Sequence, residues 1–364
     1  MNLAARLPTW SIVSPIASWA VLALTFTTGS TSSLWLIEML VVMGLVAGIL
    51  SAVFHAEVVA HRVGEPYGTL VLALAVTAIE VALIVSLMIP GGESANVLAR
   101  DAVFASVMII LNGMVGICLL IGGRRHGEQT FGLYGVSAAL ATLAAISVLT
   151  LVLPNYTTTT PGPTYSNGQL MFIAVVSLVL YGTFVMFQAV KHRDYFLPLE
   201  SASDEAVHAE PPSMKTTILS AVLLLVCLSS VVLLAKTLSP ALEAGVSNLG
   251  APKALVGIII AAVVLLPESI AAYQAARANR LQTSLNLALG SALASIGLTI
   301  PAVAFVSLFY GWDLTLGIDE KSSVLLLLSL LVASLSLGTG RTTIMQGMVH
   351  GVIFAVYLFT AIVP

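Results

Sequence analysis

Apolar residues fall along this chain in long blocks separated by short polar runs, without sustained alternation of polar and apolar positions. A helix needs about 20 apolar residues to cross the hydrocarbon core of a bilayer. Read through a window of that size, the sequence predicts eleven membrane helices, near 10–28, 33–55, 68–90, 101–122, 133–153, 169–190, 216–238, 253–274, 284–310, 323–337 and 343–363. The short alternating segments of a membrane barrel are missing. The expected fold class is an all-α polytopic membrane protein.

Loop charge orients these helices. Assigning basic residues to alternate sides puts 10 on one side (Arg6, Arg62, Arg124, Arg125, Lys191, Arg193, Lys215, Arg277, Arg280 and Arg341) and 4 on the other (Arg100, Lys236, Lys253 and Lys321). Cytoplasmic connections carry the basic excess, so the N-terminus is expected in the cytoplasm and the C-terminus outside. The longest polar run, 191–215, then lies in the cytoplasm. Its acids Glu200, Asp204, Glu205 and Glu210 read as a solvated linker or as a weak cation-collecting segment.

Setting the first helix aside leaves five spans on either side of that linker. Five is odd, so the halves enter the membrane from opposite faces, the pattern of an inverted repeat with its site at the midplane. The expected organisation is an extra N-terminal helix (1–30), a first five-helix repeat (31–190), the acidic linker (191–215) and a second repeat (216–364). AEVVAHRVGEPYGTL (56–70) lies without gaps on LEAGVSNLGAPKALV (242–256), matching Glu57 with Glu243, Gly64 with Gly250 and Pro66 with Pro252. Each Gly-x-Pro opens a helix that carries one central acid, Glu80 in the first half and Glu268 in the second.

Those two glutamates are the candidate chemistry. An ionisable group at bilayer depth costs roughly 2.5–3.5 kcal/mol by insertion measurements, and a chain that spends this twice, in matching places, points to cation or proton binding. Asn112, Thr77, Ser291 and Ser295 are oxygen-bearing neighbours in apolar settings that can complete a cation shell or bond to adjacent helices. Two facing carboxylates oppose an empty, doubly charged state, through desolvation and mutual repulsion. Two protons or one divalent cation would neutralise them. Glu57, His61 and Glu65 are expected as loop charges near the cytoplasmic end of the third helix, beside a cation entrance, and Glu243 as their outer counterpart. Glu38 reads as an interfacial acid. His350, nine residues beyond Arg341, reads as a packing histidine. Gly44-x-x-x-Gly48 and Gly347-x-x-x-Gly351 match the close-packing pattern of membrane helices.

Composition narrows the classes further. The chain is 58% hydrophobic and 9% charged, against about 25% charged in an average soluble domain, with a mean hydropathy of +1.03. Its net charge of -3 gives no reason to expect a nucleic acid partner. Cys118 and Cys227 are isolated and read as packing thiols. No G-x-x-x-x-G-K-[ST] phosphate loop supports a pump, and no H-E-x-x-H or G-x-S-x-G supports an enzyme. The expected partners are metal cations, protons and lipid, with no cofactor. A cation channel is the competing class.

HAEVVAHRVGEPYGTL (55–70), Glu80, GGRRHGEQTFG (122–132), Glu268 with LALGSALASIG (287–297), and GTGRTTIMQGMVHG (338–351) resemble the bacterial ChaA-type calcium/proton antiporters, in the CAX branch of the cation/calcium exchanger superfamily. The resemblance implies eleven helices in a bacterial inner membrane, an acidic cytoplasmic linker, and exchange of a cytoplasmic cation for protons. It places the family's acidic pair on Glu80 and Glu268, as metal ligands. One departure stands out: where CAX exchangers carry Gly-Asn shortly before each acid, this chain has Val76-Thr77 and Val264-Leu265. Pro267 is expected to break the second of these helices, and the first has no equivalent. Calcium leads, with sodium and potassium as alternatives.

Overall fold

The computed structural model describes residues 7–28, 35–64, 67–91, 96–196, 211–248, 250, 252 and 254–363. Its helices are α1 (Thr9–Thr28), α2 (Trp35–Val63), α3 (Tyr67–Gly91), α4 (Leu98–Met108), α5 (Val115–His126), α6 (Leu133–Ser147), α7 (Asn167–Met186), α8 (Met214–Asn248), α9 (Ala254–Val264), α10 (Leu266–Arg277), α11 (Leu281–Tyr310), α12 (Glu320–Leu337) and α13 (Ile344–Ile362). A π-helical segment, Ile109–Met114, joins α4 to α5 in one span. Among the described residues ten helices are long and apolar enough to cross a membrane, and α9 with α10, bent by 55°, makes an eleventh. All eleven expected windows are therefore occupied by helix.

Helix ends differ from the hydropathy windows in two places. The second window stops short of Glu57, yet α2 continues to Val63, because the chain stays helix-compatible until Gly64 turns with φ +76°. Glu57 and His61 thus lie on the last turns of α2 and are not loop charges. Likewise α8 runs over Pro240 to Asn248, which puts Glu243 within a helix. Glu65, the side chain of Glu243 and the linker acids fall outside the described residues.

Two compact units result, Met1–Gly91 with Glu205–Gly250, and Gly92–Asp204 with Ala251–Pro364. Each draws on both sequence halves.

In the first unit, α2 packs against α1, α3 and α8. A Cβ on Gly48 would lie 2.9 Å from Val231 of α8, so the expected close-packing pair marks a real helix crossing. Pro15 interrupts α1 and supplies no N–H to the Ser11 carbonyl one turn back. Two donors from α2 take that carbonyl instead, Ser51 Oγ at 2.9 Å and His55 Nε2 at 3.0 Å.

In the second unit, α11 is the core, burying Leu285, Leu289, Leu293, Ile296 and Ile300 against α4 to α7 and α10. Gly347 seats α13 on α5: a Cβ there would lie 2.6 Å from the Leu120 nitrogen. Loops tie this unit together twice. Strand β1 (Gln129–Thr130) pairs antiparallel with β2 (Arg341–Thr342), and Thr164 bridges Thr315. Six spans separate the first pair of loops and four the second. Both numbers are even, as they must be for each pair to share a membrane face. Cys118 and Cys227 are free and buried, as expected.

Replacing Gly347 by Ala should force α13 away from α5 and cost about 1–3 kcal/mol. Gly168, with nothing within 4 Å of its would-be Cβ, serves as control. Thermal melts of the purified protein should show a lowered midpoint for Gly347→Ala and an unchanged one for Gly168→Ala.

Candidate functional site

The second unit carries four of the candidate residues on three elements that touch one another: Glu268 on α10, Ser291 and Ser295 on α11, and Asn112 in the π segment. The break before Glu268 follows from Pro267. Proline lacks the N–H that would close a helical bond to Val263 and its ring crowds that carbonyl. The chain turns at Leu265 (φ −81°, ψ −1°), and α10 restarts with Pro267 and Glu268 in its first turn, where the helix dipole is positive. The Leu265 carbonyl takes the first helical bond of α10, from the Ser269 N–H at 2.9 Å, and the Ser269 hydroxyl as well at 2.7 Å. Ser291 and Ser295, four apart, share a face of α11. Ser295 is 4% exposed and Ser291 is half-buried.

Asn112 sits at the centre of the π segment and is fully buried. Such bulges are rare and concentrate at functional sites. Its Nδ2 donates to Ser329 Oγ of α12 at 2.8 Å and, at 3.4 Å, to the Met108 carbonyl. Its Oδ1 is buried with no hydrogen-bond partner in the protein. Ser329 and the bulge went unread in the sequence. The signal available was an Asn-Gly pair inside an apolar helix, and a serine buried in LLLLSLL.

The first unit carries Glu80 and Thr77. They are three residues apart on one face of α3, and each is 5% exposed. Here α3 runs through without a break, as the absence of a proline beside Glu80 implied. Glu57 is exposed, His61 half-buried, and Glu38 exposed in the first turn of α2. His350 Nε2 lies 2.8 Å from Ser336 Oγ in a buried position, fitting a packing histidine, while Arg341 pairs with exposed Glu128 at 3.4 Å.

A third feature borders the unit's second loop tie. Tyr165, between spans, donates to the Leu149 carbonyl at 2.6 Å. Burial pushes its phenol up to about 12, so it stays a neutral donor across the physiological range.

Comparison with known proteins agrees with this architecture. The family model described as sodium/calcium exchanger protein matches residues 17–190 and 219–363. A Sinorhizobium fredii protein, y4hA, provisionally described as an ionic transporter, is 47% identical over 99% of this chain and 98% of its own. The sodium-potassium/proton antiporter ChaA of Escherichia coli is 33% identical over 96% of this chain and 95% of its own. The crystal structure of the Ca2+/H+ antiporter protein YfkE superposes with a TM-score of 0.74 at 15% identity, covering 97% of this chain and 99% of that one, which speaks for the fold. With its family model matched over most of its length, in both halves, the chain belongs to the sodium/calcium exchanger protein family.

Proposed function

We propose that this protein is a secondary antiporter that exchanges cytoplasmic Ca2+ for protons by alternating access at a carboxylate site. One observation carries the reading. The second span of each half holds a single glutamate, Glu80 enclosed in α3 and Glu268 just past the break between α9 and α10. Family membership supports exchange over channel conduction.

In this reading Glu80 and Glu268 bind the metal and the protons, as the inverted repeat leads one to expect of a midplane site. Asn112, Ser295, Ser291 and Thr77 add neutral oxygens, and the backbone before Pro267 adds the Val263 carbonyl, which proline leaves without its helical donor. A hard divalent cation takes six to eight such ligands, water filling the rest. One Ca2+ or two protons neutralise the pair, and either neutral state can reorient. The empty dianion is held back by desolvation and repulsion. That difference couples the two fluxes. The basic loop excess puts the N-terminus in the cytoplasm of a bacterial inner membrane and the C-terminus outside.

A second reading, Na+ or K+ exchange for H+, is favoured by the unbroken α3. An intact helix offers no freed carbonyls beside Glu80, and a monovalent ion needs fewer ligands and one retained proton. The Escherichia coli relative bears a sodium-potassium/proton name.

Everted vesicles with an imposed proton gradient decide between these readings. Calcium, added alone, should dissipate the gradient, and a response to sodium or potassium only would move the substrate to the second reading. Cation uptake that ignores the gradient would make the protein a channel. Glu80→Gln and Glu268→Gln should each abolish coupled exchange, and exchange persisting in both would sink the carboxylate mechanism. Pro267→Ala should return an N–H to the Val263 carbonyl, close the break before Glu268 and raise the cation KM about tenfold, equivalent to about 1.4 kcal/mol. Its thermal midpoint should be no lower than wild type, as a melt beside the transport assay would show.

A further inference from the structure

Asn112 could present either end of its amide, and the choice matters because a cation needs the oxygen. The bonds around it leave no freedom. Ser329 owns one hydroxyl proton, and it is engaged with the Leu325 carbonyl at 2.7 Å, one turn back on α12. Ser329 Oγ can therefore only accept from Asn112. The Met108 carbonyl, on the other approach to Nδ2, is also an acceptor. Reversing the amide would set Oδ1 against the Ser329 oxygen, lone pair against lone pair. The Met108 sulfur, 3.5 Å from Ser329 Oγ and 3.9 Å from Asn112 Nδ2, is at most a weak partner and does not alter this balance. Both amide protons are thus used on one side, and Oδ1 is turned away from them, buried and without a hydrogen bond.

We propose that Ser329 is a positioning residue for ion binding: it locks the Asn112 amide so that its oxygen faces the cation. The inference rests on the exchange reading above and deepens it. A buried, unpaired carbonyl is unfavourable by itself, and a hard cation is the partner that such an oxygen suits. Had the amide been reversed, its NH2 would face the ion and repel it. Ser329 touches no ion in this scheme. It acts through the direction of one proton.

The test is reconstituted transport by the full-length protein, measuring cation KM and maximal rate with calcium, sodium and potassium. Ser329→Ala should raise the KM about tenfold with the maximal rate at saturating cation nearly unchanged. Ser329→Thr keeps the hydroxyl and should restore the KM to within about twofold. The discriminating step is a double variant. In Asn112→Asp both side-chain oxygens are equivalent, so adding Ser329→Ala should raise the KM no further. Should Ser329→Ala fail to fold, Ser329→Cys, a poor acceptor, replaces it. A wild-type KM in Ser329→Ala, equal damage in Ser329→Thr, or an undiminished effect in the Asn112→Asp background would each overturn the inference alone. A wild-type protein that exchanges none of the three cations would sink the exchange reading, and this inference with it.

Discussion

Inside a bilayer every backbone N–H and C=O has to find a partner within the protein. An unbroken helix meets that demand by itself, so each place where the ladder is interrupted needs something from outside it. Pro15 releases the Ser11 carbonyl, and Ser51 and His55 of α2 capture it. The π segment Val148–Val152 holds Leu149, whose carbonyl Tyr165 takes. Pro267 withholds the N–H that the Val263 carbonyl would take, and helical bonding resumes at Leu265, whose carbonyl accepts from Ser269. At the π segment around Asn112 what is left over is a side-chain acceptor, Oδ1, one of several buried polar atoms that no protein group satisfies.

Backbone geometry repeats across the two halves more faithfully than sequence does. Gly64 ends α2 and Gly250 follows α8, both with positive φ, and these are the glycines that the ungapped alignment matched. The same holds for Gly127 and Gly311, which cap α5 and α11, and for Gly162 and Gly340, in the last connection of each half. All six positive-φ glycines of the described residues thus fall into three corresponding pairs. At these three pairs of connections the left-handed turn is kept on glycine, where a side chain would be strained, while Asn279 between α10 and α11 (φ +61°) is a non-glycine in that region.

The spans were legible because hydrophobic length is a direct physical requirement of crossing a membrane. The break beside Glu268 was legible too, since proline removes a donor wherever it stands. Helix ends were read too short before Glu57 and Glu243, because a charge, or the Ser239-Pro240 pair in α8, ends a hydrophobic window without ending a helix. The bulge at Asn112 and its bond to Ser329 left only faint marks (an Asn-Gly pair and a serine among leucines). They depend on two spans meeting 217 residues apart, and no local pattern encodes such a meeting.

The two loop ties have a mechanical meaning. Gln129–Thr130 with Arg341–Thr342, and Thr164 with Thr315, each join the first sequence half to the second, on loops that a repeat would interchange. Within the second unit the two halves are therefore sewn together at both ends of their spans. Rocking one sequence half against the other within this unit would first have to break both pairings.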